Sequence, residues 1–370
     1  MSLEPAQLEA DGHTWRVDPA LADWLRTTLA PAARAPESLP GAAVIKHNRV
    51  RSVVRVEAPG GALYVKRFRL LRCVDRLAHL VRATAARREW TALRAVARAG
   101  IPCPAPVVLG EERSGGLVVG SVLATREVAG ARELTLALDQ ARAAGQPREP
   151  LLAPLARIVR RLFEAGVDHP DLHLGNFLLA PDGELVALDL HSARLRRGPL
   201  GASARRARLG KLAHSLGLFD PTTAAWAADE LATFAAAWAA LDPALGPADA
   251  LADDLRRRVR RIESARLASR DRRCLVDSTS FAVEGSRGRR TWRRRDVPPA
   301  AIAALLDAPA ELVIHAHPRG RSRLEVVAIP PGAGLADALG PATQLVRKRY
   351  PFPTLRSRVE GALDPTPLRA

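Results

Sequence analysis

Apolar and polar residues alternate along residues 62–70, ALYVKRFRL, with the two-residue period of a β-strand. A helical pattern follows over residues 84–100 and ends at a glycine, a common helix stop. Two short apolar runs, FLLA and ELVALDL, flank the turn sequence PDG at 181–183 and predict a β-hairpin. From residue 131 onward the pattern is otherwise mainly helical. The chain therefore predicts a strand-rich part followed by a helix-rich part.

Residues 168–189, DHPDLHLGNFLLAPDGELVALD, combine aspartate and asparagine at a spacing typical of phosphoryl transfer from ATP. Asp171 and Asn176 are five positions apart, as in the kinase pattern HRDxxxxN, and Asp189 falls where the metal-binding Asp of DFG occurs. This chemistry needs a carboxylate to orient the attacking hydroxyl and hard oxygen ligands for a divalent metal. We therefore interpret Asp171 as the base, and Asn176 and Asp189 as metal ligands. A turn or helix cap would explain any one of these residues, but not the ordered set.

Lys66 lies inside the predicted strand, although nearly all basic residues of the chain are arginines. A lysine at this position suggests a compact positive charge that holds ATP phosphates. Glu89, in the helix that follows, is its natural partner. The alternative is a strand lysine that reaches solvent and a surface glutamate that pairs with Arg88 or Arg94.

With these motifs in place, residues from about 40 to 265 resemble a protein-kinase-like fold, and specifically the Kdo/WaaP (InaA-type) lipopolysaccharide kinases of Gram-negative bacteria. The phrases DLHLGNFLL and LDLHSARL carry the similarity. Aminoglycoside phosphotransferases have a similar loop, usually with Ile or Val after the Asn and an aromatic residue after the second Asp. The resemblance implies ATP and Mg²⁺ as cofactors, with Lys66 on the phosphates, Glu89 on Lys66, Asp171 as base, Asn176 and Asp189 on magnesium, and Glu127 and Val128 near the adenine.

Two departures from the protein-kinase pattern concern the phosphates and regulation. The segment IKHNRVRSVVRV, residues 45–56, has no glycine, so the usual glycine-rich phosphate cover is missing. Backbone amides, Lys46, His47 or Arg49 are the candidates to replace it. Pro170 stands in place of the Arg of HRD, and we therefore expect no regulation by phosphorylation of an activation loop.

The chain has 370 residues and a formal net charge of +17, which favours an anionic partner. An aromatic content of 4% and the lack of nucleic-acid-binding motifs argue against nucleic acid. A basic segment follows Asp189 at residues 191–212, and within it we predict Arg205, Arg206 and Arg208 to bind an anionic acceptor. A solvated loop face and the arginine usage of a GC-rich genome are the alternatives.

The N-terminal sequence has no basic region followed by an apolar core, so we expect no signal peptide. The most apolar stretch, residues 231–241, is too short to span a membrane. Three cysteines lie far apart without a CxxC motif and predict neither disulfides nor a zinc site. We expect a cytoplasmic protein and leave open a peripheral association with the inner membrane.

The predicted fold class is α+β: a bilobal protein-kinase-like fold followed by a partial second kinase N-lobe-like repeat. Residues 291–306 are similar to residues 14–25, and residues 345–359 to residues 64–77, which is the basis of the repeat. The expected parts are an N-terminal extension at 1–38, an N-lobe at 39–130, a C-lobe at 131–268 and a truncated second N-lobe-like unit at 269–370.

The predicted function is ATP-dependent transfer of the γ-phosphoryl group to a sugar hydroxyl of the lipopolysaccharide inner core. Among enzymes, the alternative is a small-molecule phosphotransferase of the aminoglycoside type. The alternative from another class is a pseudokinase scaffold that binds an anionic membrane or partner. The missing glycines and the truncated second lobe support it, and the intact set of Lys66, Glu89, Asp171, Asn176 and Asp189 argues against it.

Overall fold

The computed structural model describes residues 4–71, 73–217, 219–220, 225–226, 228–278, 280–286, 289–316, 323–329 and 344–349. The chain divides into two compact units, Met1–Glu263 and Ser264–Ala370. The first unit contains a sheet-rich lobe and a helix-rich lobe.

The first lobe is built on an antiparallel sheet of seven strands in the order β1-β2-β6-β7-β5-β4-β3. The strands are β1 (Ala6–Ala10), β2 (His13–Val17), β3 (Ala43–His47), β4 (Arg51–Val56), β5 (Leu63–Arg69), β6 (Pro106–Ser114) and β7 (Leu117–Arg126). The two strands at one edge, β1 and β2, come from residues that we predicted to form an N-terminal extension.

The N-terminal segment also supplies core side chains to this lobe. After β2 the chain makes helical turns at Pro19–Leu21, Ala22–Trp24 (α1), Leu25–Leu29 and Ala30–Ala32 (α2), and a further turn at Pro36–Ser38. Leu21, Leu25 and Leu29 are fully buried in one hydrophobic cluster with Val54 and Val65 of the sheet. Residues 4–38 are therefore part of the lobe and not a separate extension, because their apolar side chains complete its core.

Strand β5 follows the predicted alternation. Leu63 and Val65 are buried in the cluster that contains the N-terminal leucines. Successive side chains of a strand point to opposite faces, so Tyr64, Lys66 and Phe68 face the other side of the sheet. The face of the sheet that carries Lys66 is thus the one that faces away from the N-terminal segment.

Two helices follow β5, the short α3 (Cys73–Ala78) and the longer α4 (Ala85–Arg98). Thr84 caps α4, because its Oγ1 accepts a hydrogen bond from the Arg87 N–H at 3.1 Å. The buried face of α4 includes Glu89, Trp90 and Leu93. A carboxylate is therefore buried on this helix among apolar side chains, and it needs a partner.

The second lobe is mainly helical, as predicted. Its helices are α5 (Leu134–Ala143), α6 (Glu149–Glu164), α7 (Ala202–Ser215), α8 (Ala228–Leu241) and α9 (Ala248–Cys274), and its short strands are β8 (Arg132–Glu133), β9 (Val167–Asp168), β10 (Phe177–Leu179), β11 (Leu185–Ala187), β12 (Arg194–Leu195), β13 (Phe219–Asp220) and β14 (Ala225–Trp226). Phe163 and Trp238 contact each other in its core, with ring centroids 6.3 Å apart. Among the helices of the described residues, none combines the length and apolar character that a membrane span requires.

In the second unit, the described residues form a hairpin, a helix and a three-stranded antiparallel sheet. These are β15 (Phe281–Ser286), β16 (Arg289–Arg294), α10 (Pro299–Asp307), β17 (Ala310–Ala316), β18 (Arg323–Ala328) and β19 (Gln344–Arg349). The first unit begins with elements in the same order: the hairpin β1–β2, helical turns, and then the strands β3, β4 and β5. The second strand of each series contains a tryptophan, Trp15 in β2 and Trp292 in β16. Residues 330–343 and 350–370 lie outside the described residues, and the N-lobe-like repeat stays a prediction.

Candidate active site

A cavity of about 430 Å³ lies in the first unit, between the sheet of the first lobe and residues of the second. Its lining includes five of the predicted site residues, namely Lys66, Glu89, Glu127, Val128 and Asp189. These residues come from β5, α4, the connection between the lobes and the segment after β11. The fold thus assembles them from four separate parts of the chain.

Lys66 and Glu89 form a close ion pair at one side of the cavity. The Lys66 Nζ lies 2.5 Å from the Glu89 Oε1, and Glu89 is only 1% exposed. Neither Arg88 nor Arg94 is paired with Glu89: Arg88 donates to main-chain carbonyls, and the Arg94 guanidinium lies over the Trp90 ring. The second Glu89 oxygen, Oε2, is buried and has no hydrogen-bond partner among the described residues.

The loop that carries Asp171 begins at β9 and is fixed by hydrogen bonds from both ends. Burial lowers the pKa of His169 to about 4, so its ring is neutral and its Nδ1 can accept the Asp171 N–H at 3.2 Å. The short helical turn Leu174–Asn176 follows, and the Asn176 Oδ1 accepts the His173 N–H at 2.8 Å. The Asp171 side chain itself is 67% exposed. Its carboxylate, which lies 3.9 Å from the His173 Nε2, is therefore accessible to a substrate, while its main chain is held.

Strands β10 and β11 form the predicted hairpin. Phe177 pairs with Ala187, and the Leu188 N–H donates to the Asn176 carbonyl at 2.7 Å. Asn176 therefore enters the first strand beside the point where Leu188 and Asp189 leave the second. This register places the two predicted metal ligands at the same end of the hairpin.

Asp189 lies at the centre of a group of positive charges and has a left-handed backbone conformation, with φ of 56°. Its Oδ1 is 3.3 Å from the Lys66 Nζ, 3.1 Å from the Arg51 Nη2 and 3.1 Å from the His191 Nδ1. Burial by itself would raise the pKa of Asp189. The hydrogen bond from His191 and the charges of Lys66 and Arg51 outweigh burial and hold this pKa far below its usual range. The carboxylate is therefore ionised at any physiological pH.

Arg51, at the start of β4, is a site residue that the sequence patterns did not reveal. Its guanidinium lies over the Phe68 ring, 5.4 Å from the centroid, and reaches Asp189 across the cavity. The turn before it contains no glycine but is held by Asn48, whose Oδ1 accepts the N–H groups of Val50 and Arg51 at 3.0 and 2.8 Å. An ordered turn and one arginine thus occupy the place expected for a glycine-rich loop. The sequence signal that could have indicated this ordered turn is Asn48, a residue type that often closes turns with its side chain.

The three arginines predicted to bind an acceptor, Arg205, Arg206 and Arg208, lie on α7 and bond within the second lobe. Arg205 is buried and its Nη1 lies 2.5 Å from Asp242, while Arg206 donates to the Leu245 carbonyl at 2.9 Å. Arg208 lies 2.7 Å from Asp168. That these residues bind the acceptor stays a prediction, although their guanidinium groups already bond within this lobe.

Asp168 is the anchor of the loop that carries Asp171. It is buried and receives Arg208 from α7 and Arg196 from the segment after β12, the latter at 2.9 Å. Burial alone would raise the pKa of Asp168, but the hydrogen bonds from Arg208 and Arg196 outweigh it and lower this pKa. The basic segment after Asp189 therefore helps to hold the Asp171 loop in place, because its Arg196 and Arg208 bind Asp168.

The connection between the lobes, residues 127–131, borders the cavity opposite Lys66. The Glu127 carboxylate accepts two hydrogen bonds from the Arg55 guanidinium, from Nε and from Nη2, each at 2.8 Å. Its N–H donates to the Ala62 carbonyl at 2.9 Å, and the Ala131 N–H donates to the Val128 carbonyl at 3.2 Å. The Glu127 side chain thus points to β4, and only the backbone of this connection and Val128 can face a ligand in the cavity.

The donor set at the centre of the cavity is suited to a divalent cation. Ligand atoms of Glu89, Asp189 and His191 lie within 4.8 Å of one another, and the Asn176 amide is at the adjoining end of the hairpin. Hard divalent cations prefer carboxylate and amide oxygens. An ionised Asp189 and the unpartnered Glu89 Oε2 meet that preference.

A seven-stranded sheet with a lysine–glutamate pair, a helical lobe with an Asp171 loop and an Asp189 hairpin, and a cavity between them define the protein-kinase-like class of fold. The sequence profile of the lipopolysaccharide kinase (Kdo/WaaP) family matches residues 46–238. The chain belongs to this family. The matched residues begin in β3 and end in α8, and so include both lobes of the cavity.

One curated protein and two solved structures are similar to this chain. The lipopolysaccharide core heptose(I) kinase WaaP of Pseudomonas aeruginosa is 30% identical over 160 residues, 40% of this chain and 60% of that protein. The chain thus covers less than two thirds of this relative. A solved structure of WaaP in complex with acyl carrier protein is 26% identical, with 62% of this chain and 91% of that chain covered and a TM-score of 0.45. A co-crystal structure of WbdD and a kinase inhibitor is 17% identical, with 58% and 44% covered and a TM-score of 0.36.

Proposed function

We propose that this protein is an ATP-dependent phosphotransferase that transfers the γ-phosphoryl group to a sugar hydroxyl of the lipopolysaccharide inner core. The observation that carries the proposal is the meeting of Lys66, Glu89 and Asp189 in one cavity, next to the loop that exposes Asp171. Membership of the lipopolysaccharide kinase family supports both the reaction and the acceptor class.

The proposed roles follow from the contacts of each side chain. Lys66, oriented by Glu89, would bind ATP phosphates, and Val128 with the backbone of residues 127–131 would receive the adenine. Arg51 would add a second cation at the phosphates, in place of the amides of a glycine-rich loop. Asp171 would accept the proton of the sugar hydroxyl while the hydroxyl oxygen forms a bond to the γ-phosphorus. The bond between the γ-phosphorus and the oxygen that bridges to the β-phosphate would break, and ADP would be released.

Asp189 and Asn176 are the proposed ligands of Mg²⁺. When bound, the cation neutralises the charge that develops on the phosphate oxygens. The role of the chain is to hold both ligands at one end of the β10–β11 hairpin and to keep Asp189 ionised. Because Lys66 and Arg51 rest on Asp189, both cations are already placed beside the position that the triphosphate would take.

The proposed acceptor is the lipopolysaccharide core, on the cytoplasmic side of the inner membrane. The curated relative is named for phosphorylation of heptose(I), and we extend that acceptor class to this chain as part of the proposal. The uncompensated basic character of the chain, +17 overall, supports an anionic glycolipid over a cationic aminoglycoside.

One observation favours a second candidate, a pseudokinase scaffold. In the described structure Asp189 is occupied by Lys66, Arg51 and His191 together, and no glycine precedes Lys66 in residues 45–56. A protein that binds an anionic partner without catalysis could keep this ion-pair arrangement permanently. The two candidates differ in whether magnesium-dependent turnover occurs.

The test is transfer of labelled γ-phosphoryl from ATP, with magnesium, to purified lipopolysaccharide core. We expect transfer by the wild type, none by Asp189→Ala, and wild-type transfer by Asp182→Ala, a matched control at the opposite end of the same hairpin. Asp171→Asn should lower kcat by roughly 10²–10⁴-fold while ATP affinity stays unchanged, because the base orients the acceptor and does not hold the nucleotide. ATP binding by the wild type without transfer to any acceptor would favour the scaffold.

A further inference from the structure

The connection between β5 and α4 exposes four large apolar side chains in a short stretch: Leu71, Leu77, Leu80 and Val81. Leu80 is 63% exposed and Val81 is 88% exposed. We call these four residues, with Arg76 and Arg82, the 71–82 patch. Single exposed apolar residues are common on protein surfaces, but a cluster beside charged side chains is typical of an interaction surface.

The arginines of this region carry charge that no described carboxylate neutralises. Arg76 donates to the Leu70 carbonyl at 2.9 Å, and Arg82 has no ion pair with any described residue. Arg88 likewise bonds only to the carbonyls of Ala83 and His191, at 2.8 and 3.2 Å. The patch therefore presents apolar surface next to unbalanced positive charge.

The basic helix α9 is a useful contrast. Several of its arginines pair with acids of the same helix: Arg256 lies 2.7 Å from Asp253, and Arg258 lies 2.6 Å from Asp254. These ion pairs balance the positive charge of this part of α9 and make it a weaker candidate for contact with an anionic membrane. Among the described surfaces with several arginines, the 71–82 patch combines unpaired charge with apolar side chains.

The patch also borders the proposed active site. Leu71 follows Lys66 by five residues, a separation of roughly 15 Å along an extended chain. Arg88 ties the other end of the connection, at Ala83, to His191, which bonds to Asp189. A surface that is bound at the patch would therefore lie close to the cavity.

We propose that the 71–82 patch docks on a bilayer that contains anionic lipids. Arg76 and Arg82 would contact lipid phosphates, while Leu77, Leu80 and Val81 enter the boundary between headgroups and acyl chains. This inference rests on the proposed function, since an acceptor anchored in a membrane must be reached at that membrane. Interfacial binding of this kind combines buried apolar area with attraction between arginine and anionic lipid.

The experiment is co-sedimentation of the full chain with vesicles of equimolar phosphatidylcholine and phosphatidylglycerol, and with vesicles of phosphatidylcholine alone. One variant combines Leu77→Ser, Leu80→Ser and Val81→Ser, and a second combines Arg76→Gln and Arg82→Gln. The charge control is Arg256→Gln with Arg257→Gln, which removes the same formal charge from α9. The apolar control is Leu312→Ser with Ile314→Ser, which are exposed on β17 of the second unit.

We expect the wild type to bind the anionic vesicles and not the neutral ones. Each patch variant should bind at least about tenfold more weakly, and both controls should bind like the wild type. Equal binding by the patch variants, equal weakening by the α9 control, or failure of the wild type to bind would each overturn the proposal. Circular dichroism and thermal melting of every variant would exclude unfolding as the cause.

A second measurement separates this inference from the proposed function. With lipid-free core oligosaccharide, the patch variants should transfer phosphoryl groups at the wild-type rate, because none of these residues touches the cavity. With core glycolipid embedded in the anionic vesicles, they should be at least about tenfold slower. No transfer by the wild type to either acceptor would refute the kinase proposal, and vesicle binding would still decide the docking surface. If the patch variants match the wild-type rate on both acceptors, the docking surface is refuted and the kinase proposal stands.

Discussion

At the scale of single residues, Asp189 concentrates the charge of the site. Three positively charged or polarised groups, from Lys66, Arg51 and His191, meet one carboxylate oxygen. Two of them, Lys66 and Arg51, come from adjacent strands of the sheet. They point into the cavity where phosphates are proposed to bind, so removal of either should weaken binding of a triphosphate.

The first prediction concerns Arg51. Arg51→Ala should weaken ATP binding by about tenfold, which is the loss of one charge-assisted hydrogen bond to phosphate. AMP affinity should change by less than about twofold, because the adenine side of the cavity is untouched. Isothermal titration calorimetry with the two nucleotides measures both effects. Arg49→Ala, in the exposed turn beside it, is the control, and an equal loss for AMP and ATP would contradict the assignment.

The second prediction concerns acid stability and Asp168. The lowered pKa means that the fold stabilises the ionised carboxylate, so this contribution is complete above the unfolded pKa of about 4 and is lost as pH falls through the folded pKa. Asp168→Asn should lower the free energy of unfolding by about 3 kcal/mol at neutral pH, since it leaves Arg208 and Arg196 without their anion. Thermal melting of both proteins from neutral pH down to about pH 3 measures the difference, which should shrink in acid. A constant difference would show that ionisation of Asp168 is not what the fold stabilises.

Residues of the candidate site could be recognised in the sequence where a local pattern surrounds them. Lys66 was visible from strand alternation and from the scarcity of lysine, and Asn176 and Asp189 from the motif around their hairpin. Arg51 was not visible, because its contact with Asp189 joins residues 138 positions apart. The ion pair of Arg205 was not visible for the same reason: its partner Asp242 lies 37 positions away, so an arginine run alone could not distinguish a binding surface from an internal ion pair.

At the scale of elements, the Asp171 loop depends on a helix that contains no proposed catalytic residue. Helix α7 supplies Arg208 to Asp168, and β12 pairs with β9, where the loop begins. The β10–β11 hairpin then fixes the loop's other end. The position of the Asp171 loop thus depends on contacts from the β10–β11 hairpin, β12 and α7, which follow one another along the chain.

The third prediction tests this supporting role of α7. Arg208→Ala should lower kcat by about tenfold, because a loop held by one guanidinium in place of two orients Asp171 less well. The acceptor KM should stay within about twofold of the wild-type value, since Arg208 does not contact the cavity. Arg197→Ala, an exposed arginine of the same segment, is the control for charge. A raised acceptor KM with unchanged kcat would instead support the prediction that Arg208 binds the acceptor.

Element prediction succeeded where one periodicity ran uninterrupted and failed where packing decided. The strand at 62–70, the helix at 84–100 and the hairpin around 181–183 correspond to β5, α4 and β10–β11. The strands β1 and β2 escaped prediction because each is only five residues long, and β2 joins the rest of the sheet through the distant β6. Strands this short carry too few residues to establish a period.

At the scale of the whole molecule, the first unit contains the residues that we assigned to three predicted parts. Its sheet takes strands from residues 6–17 as well as from 43–126, and its core cluster contains leucines from the segment between them. The fold class, a bilobal protein-kinase-like arrangement, is confirmed by the family and the structure together. The partial second repeat stays a prediction.

The fourth prediction follows from this shared core. Leu25→Ala should lower the free energy of unfolding by about 2–5 kcal/mol, the usual result of removing a buried leucine side chain. The lobe that contains the nucleotide site should melt at a lower temperature, because Leu25 and the sheet residues Val54 and Val65 occupy one cluster. Thermal melting, monitored by the loss of nucleotide binding, measures this shift. Leu136→Ala, at an exposed position of α5, is the control, and an unchanged transition in the Leu25 variant would show that the N-terminal segment is separable.

The strand order of the first lobe also determines when this lobe can form during translation. Strand β2 lies between β1 and β6, so the β1–β2 hairpin has no partner in the rest of the sheet until Pro106–Ser114 have been made. At typical synthesis rates that interval is on the order of ten seconds. During this time Leu21, Leu25 and Leu29 leave the ribosome without the core that buries them. The nascent N-terminal segment therefore exposes apolar side chains during synthesis and needs chaperone protection against aggregation.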